Sequence, residues 1–252
     1  MIDLTPLLAI GLLMVRPGTL ILGSPAFGGA YAPAQVKVAL TVLLAILLMP
    51  GASVPQASST MGLVLIVGRE MAIGLALGLA IQALVAGAEL AGHLAGFQMG
   101  LSYSAIVDPA SGVRNNLIAS LYGTIAMIVF LLTNAHHAFL RALSQSYESL
   151  PMGAGHVGAT LPQAVMALLG LVFTFGLRVA APIIVVLLVT EVGLGLIARA
   201  APGLNVMVIG APLRLLIGLV LLAAVAPSAV GVVAGSLNSV LQLGVRFAEV
   251  FR

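Results

Sequence analysis

The stretch MGLVLIVGREMAIGLALGLAIQALVAGAELAGHLAGFQM, residues 61–99, decides the fold. Leu, Ala, Gly and Val dominate it, and no alternation of apolar and polar residues marks a half-buried strand. Proline is absent from Met61 through Val107. At about 1.5 Å per residue a single helix over that run would approach ~70 Å, more than twice a hydrocarbon core of about 30 Å. Arg69, Glu70, Glu89 and His93 sit inside it among apolar neighbours. Such a run either breaks near its glycines or lies largely outside lipid, packed against other proteins. The second is the expectation.

The same composition extends outward. Of 252 residues, 61% are apolar and 7% charged, against roughly 45–50% and about 25% in ordinary soluble domains. So few charges cannot cover a water-facing surface. A closed outer-membrane barrel needs alternating strands, which are missing. The chain is therefore expected to be an all-α integral membrane or membrane-assembled protein in contact with lipid. It has about six apolar helical blocks: Leu7–Val15 with its continuation Thr19–Leu22, Val36–Met49, Met61–Met99, Leu117–Leu132, Val165–Ala198 and Ala211–Val233. Arg16-Pro17-Gly18 is read as an interruption of the first block. Leu237–Arg252 reads as a short amphipathic tail after the last block. Val36–Met49 falls short of the roughly 17–25 residues of a full crossing and suggests a hairpin leg. An acid and no basic residue precede the first apolar run, so the N-terminus is expected to be kept rather than cleaved as a signal.

Chemistry is scarce. There is no cysteine, which removes disulfides and thiolate metal sites. The ten basic residues are scattered, with no cluster to face phosphates, so no nucleic-acid partner is expected. His136 and His137 are adjacent and point to different helix faces, His93 and His156 are isolated, and no metal is expected. A phosphate loop would need a lysine after glycines, and Lys37 is the sole lysine. Ser104 and His93 lack the spacing of an intramembrane protease. No catalytic residue and no cofactor are assigned.

Ionisable groups in apolar helices must be paired or wet. Arg69 and Glu70 stand about 100° apart around a helix, so each is expected to pair across helices. Arg178 and Glu191 lie too far apart along one helix to meet, and Pro182 between them predicts a kink. Glu89 and Arg199 join them as candidates for interhelix ion pairs or subunit contacts. Gly74 with Gly78, and Gly92, Gly96 and Gly100, form small-residue series at four-residue spacing that admit a close helix backbone. After Met99 the chain turns to small residues, with turn signals at Asp108-Pro109 and Ser111-Gly112. This loop reads equally as a surface connection or as a pore lining.

An ordered series of these elements resembles the FliR/SctT family of type III export-gate proteins over nearly the whole chain. It comprises Arg16 with Ser24-Pro-Ala-Phe-Gly28 and Pro33; Arg69-Glu70 with Gly74 and Gly78; Gly96-Phe-Gln-Met-Gly-Leu-Ser102 and Val107-Asp-Pro109; Asn134-Ala-His-His137 with Ser146 and Pro151-Met-Gly153; and Gly195, Arg199, Pro202 and Asn205. Gln98-Met-Gly100 with Asp108-Pro109 favours the flagellar branch. The chain departs from the family in having no Trp, and around Lys37 and Ala201-Pro202-Gly203.

The resemblance implies a structural, non-enzymatic subunit of the flagellar protein-export gate in the bacterial inner membrane, within the flagellar basal body. Residues 1–160 would form a FliP-like helical region and residues 161–252 a FliQ-like helical hairpin with a C-terminal tail. FliP and FliQ subunits would complete a pore for unfolded flagellar substrates, engaged by the FlhB and FlhA export components. The loop near 101–116 would plug the closed pore, with Met99, Leu101, Ser102, Tyr103, Ile106, Val107, Asp108 and Pro109 as plug or gating residues. The alternative reading is a proton-coupled small-solute transporter using Glu70, Glu89 or Glu191.

Overall fold

Every described element is a helix in the structure, a computed structural model that describes residues 5–28, 32–49, 59–101, 116–154, 161–201, 203 and 205–249. In chain order these are α1 (Thr5–Gly23), the single turn α2 (Pro25–Gly28), α3 (Ala34–Leu48), α4 (Thr60–Gln98), α5 (Leu117–Leu132), α6 (Ala135–Ser149), α7 (Leu161–Ala200) and α8 (Val206–Glu249). The 61–99 run is one unbroken helix of 39 residues, about 58 Å at ~1.5 Å per residue. It ends at Gln98, short of Val107.

Gly100 sets that end. Its φ is 83°, a left-handed conformation that a Cβ would strain. Leu101 N–H then donates to Gly96 O and Gly100 N–H to Phe97 O, each at 3.0 Å, closing the last turn with the paired bonds of a Schellman cap. A second left-handed residue, Asn134 (φ 54°), stands in the two-residue turn between α5 and α6. Asparagine tolerates this region better than other side chains do.

Three expectations are corrected. Arg16-Pro17-Gly18 does not interrupt the first block: α1 runs through it with Pro17 inside. The last block does not stop at Val233 either, because α8 continues to Glu249. Beyond the six expected blocks a seventh helix of substance, α6, lies between the fourth and fifth. Its alternating faces escaped a search for long apolar runs: Phe139, Ala142, Leu143 and Ser146 are buried, while Leu140, Arg141, Glu148 and Ser149 are exposed.

Two compact units partition the chain, one of residues 1–83, 130–169 and 237–252, the other of 84–129 and 170–236. In the first, α1 packs on α3, with Thr41 over Gly18. The first half of α4 lies against α1 so closely that a Cβ at Gly74 would collide with Thr19 Oγ1 and the Arg16 carbonyl. One at Gly78 would stand 2.9 Å from Gly23 Cα. In the second unit, Gly92 meets the backbone of Ala119 and Ile118, and Gly87 meets Phe175. Gly74, Gly78 and Gly92 thus receive helices of their own chain, whereas Gly96 faces the Asn116 side chain.

Length and apolarity suffice for membrane crossing in Thr60–Gln98, Leu161–Ala200 and Val208–Ser236, and in the broken pair Leu117–Leu132 with Ala135–Ser149. At 15 residues, α3 is too short, spanning about 22 Å.

Candidate functional site

The chain's main polar centre lies inside its first unit, on Arg16 and Glu70. Neither side chain has any solvent exposure. Arg16 Nε donates to Glu70 Oε2 at 2.7 Å, and Nη2 to Oε1 at 3.0 Å, a two-pronged pairing that matches guanidinium to carboxylate. The remaining donors are used as well. Nη1 reaches Ser146 O (2.9 Å) and Ser146 Oγ (3.1 Å), and Nη2 also reaches Leu150 O (3.2 Å). Ser146 Oγ in turn donates to Leu143 O at 2.7 Å. Beneath the cation, the Tyr147 ring lies 4.1 Å from the guanidinium carbon. The aromatic face stabilises a charge that burial would otherwise penalise.

Glu70 and its neighbour divide the turn after α6 between them. Glu70 Oε1 accepts the Gly153 N–H at 3.1 Å, while Arg69 Nη1 donates to the Gly153 carbonyl at 3.0 Å. The 100° offset between consecutive helical residues is what lets one pair inward to Arg16 and the other reach outward to Gly153. Gly153 holds φ at 76°, so the position favours glycine. Three ionic side chains thereby clamp residues 150–153 against α1 and α4.

Proline supplies the final piece. Pro17 has no N–H, so the Leu13 carbonyl loses its helical donor. Tyr147 Oη donates to that carbonyl at 3.3 Å. One tyrosine thus covers the buried cation and occupies the acceptor freed next to it. Reading Arg16-Pro17 as a helix break hid this centre. The available signal was a lone arginine in an apolar segment, with a lone glutamate beside glycines elsewhere.

The other predicted positions are distributed differently. Glu191 pairs with Arg214 across α7 and α8 at 2.8 Å, both side chains partly exposed, beside a cleft lined by Leu194, Gly195, Val206 and Gly210. Glu89 lies over Gly123 in the second unit. Arg178 and Arg199 are exposed on α7. Met99 is buried with its thioether over Gly218, whereas Leu101 is exposed. Ser102, Tyr103, Ile106, Val107, Asp108 and Pro109 lie outside the described residues. The rings of His136 and His137 stand 4.3 Å apart, and among the described residues no three ligating side chains gather.

Nothing in this centre resembles reaction chemistry: a fully occupied guanidinium and carboxylate leave no open position for a substrate. Its arrangement holds helices in place. Residues 7–240 match the model of a family described as bacterial export proteins, family 1. The chain is similar to the flagellar biosynthetic protein FliR of Escherichia coli (strain K12), 34% identical over 85% of this chain and 82% of that protein. It also resembles FliR of Pectobacterium carotovorum (32%, covering 84% and 82%) and of Bacillus subtilis (strain 168) (28%, covering 88% and 86%). With the match running through α1, the clamp and both long C-terminal helices, this chain belongs to the bacterial export proteins, family 1, as a FliR-type membrane subunit of the flagellar export apparatus.

Proposed function

We propose that the chain works as one non-enzymatic wall segment of the flagellar export gate in the bacterial inner membrane, at the flagellar basal body. FliP and FliQ subunits complete the pore, FlhB and FlhA deliver unfolded flagellar substrates to it, and the loop near 101–116 closes it at rest. On this reading residues 1–160 play a FliP-like part and 161–252 a FliQ-like one.

The observation that carries the reading is a disparity in burial. Within its most apolar window, α4 is 67% buried inside its own chain, α7 33% and the 208–236 part of α8 22%. Helices so apolar must be covered by something. At 40 residues, about 60 Å, α7 exceeds a hydrocarbon core of about 30 Å twofold, so lipid covers only part of it. Sister subunits supply the rest.

A solute transporter is not favoured. Glu70 is committed to Arg16 and Glu191 to Arg214, which leaves two of its three proposed proton sites paired. The test is purification of the tagged chain from its own bacterial membranes. FliP and FliQ should accompany it, and shortening residues 102–115 should make the membrane leaky to ions. A chain that purifies alone, or a loop deletion that leaves ion tightness and export unchanged, would defeat the corresponding part of the reading.

A further inference from the structure

Arg178 presents an unsolved electrostatic problem on α7. It is exposed and has no ion pair or hydrogen bond among the described residues. Apart from the hydroxyl of Thr174 one turn before it, its exposed neighbours are apolar: Phe173 and Leu177 precede it, and Val185 and Val189 follow. From Leu161 to Thr190 it is the only charged residue, a stretch of about 45 Å at ~1.5 Å per residue. The next charge along the helix, Glu191, lies about 20 Å away and is already paired with Arg214.

No placement of a bilayer resolves this. With Arg178 inside the hydrocarbon, an unpaired guanidinium is strongly disfavoured. With Arg178 at or beyond its edge, one exposed apolar flank of α7 leaves the lipid and requires protein cover beside the arginine. Either way a protein surface adjoins Arg178, and a desolvated guanidinium there requires a carboxylate.

We propose that Arg178 is a docking cation that receives an Asp or Glu side chain from an apolar helix of a neighbouring subunit. The proposal rests on the multi-subunit reading above and names the chemistry of one contact within it. Because Arg178 makes no polar contact among the described residues, its substitution is expected to leave the fold intact.

The experiment compares tagged full-length chain with Arg178→Leu and Arg178→Lys variants at matched membrane levels, measuring each co-purified subunit by quantitative mass spectrometry. A photo-reactive phenylalanine analogue at position 177 identifies what covers this face. Arg178→Leu is expected to lower one accompanying subunit by about tenfold or more, since it strands the partner's carboxylate. Arg178→Lys keeps the charge and retains most of it, and the crosslinked peptide contains Asp or Glu. Unchanged assembly of Arg178→Leu, equal failure of both variants, or crosslinking to phospholipid would overturn the inference while leaving the assembly intact. Wild-type chain purifying without companions would instead remove the reading beneath it.

Discussion

Tyr147 Oη lies 3.3 Å from the Leu13 carbonyl, the acceptor left open one turn before Pro17. A helix can thus keep an internal proline without leaving a buried acceptor unsatisfied, because a side chain from α6 replaces the missing donor. The same tyrosine ring lies under Arg16, so the defect and the ion pair share one support.

This relation predicts a coupling. Tyr147→Phe keeps the ring and loses the hydroxyl, at a cost of about 1–2 kcal/mol for an unsatisfied buried carbonyl. Pro17→Ala restores an N–H to Leu13 O, so Tyr147→Phe in that background should cost little. Thermal unfolding of the four proteins in detergent gives the cycle. Equal costs in both backgrounds would show that the two residues are not linked.

The Arg16–Glu70 pair predicts strong non-additivity. Arg16→Met or Glu70→Met alone leaves a fully buried charge uncompensated, at about 3–5 kcal/mol. The double apolar replacement removes both charges and should recover a large part of that loss. Arg16→Lys should behave nearly as badly as Arg16→Met, since an ammonium cannot serve Glu70, Ser146 and Leu150 at once. The amount of protease-resistant chain in membranes, alongside motility, reads these outcomes. A double variant no better than either single one would argue against a structural role for the pair.

How much of this was written in the sequence follows from what each feature depends on. Helices made of long apolar runs were legible: Met61–Met99 became Thr60–Gln98, and Leu117–Leu132 was recovered with both bounds. Those boundaries depend on local composition, on Gly100 at one end and Asn116 at the other. Pairing was not legible to the same degree. Glu70 was expected to find a partner on another helix, but Arg16 lies 54 residues away and Ser146 a further 76 beyond Glu70, and one sequence does not state which segments meet. The proline misled because its effect on a helix depends on whether a donor arrives from elsewhere. Tyr147, on a helix with no apolar run to announce it, was that donor.

The glycines separate by what faces them. Gly74→Ala would push a Cβ into Thr19 Oγ1 and the Arg16 carbonyl, so α1 must move away and the ion pair with it. At Gly68 an added Cβ meets nothing within 4 Å. Gly68→Ala should therefore stabilise by about 0.5–1 kcal/mol through helix propensity alone, and Gly74→Ala should destabilise by about 1–3 kcal/mol through overpacking. Opposite signs in thermal stability are expected. Matching signs would mean that Gly74 is not a point of close helix approach.

Burial also sets the weight of the second ion pair. Glu191 and Arg214 are as close as Arg16 and Glu70, near 2.8 Å, yet their side chains are 38% and 27% exposed rather than closed off. Water screens such a pair, and its loss in the isolated chain should cost at most about 1 kcal/mol. Glu191→Gln is thus expected to leave the stability of the purified single chain nearly unchanged, in contrast to Glu70→Gln. Within the assembled gate, sister subunits that cover this cleft would remove the water, and the same substitution would then become costly. Measuring Glu191→Gln in both states separates the cases. An equal, small effect in each would place the cleft on an uncovered surface, whereas a cost confined to the complex would locate a subunit contact at Glu191 and Arg214.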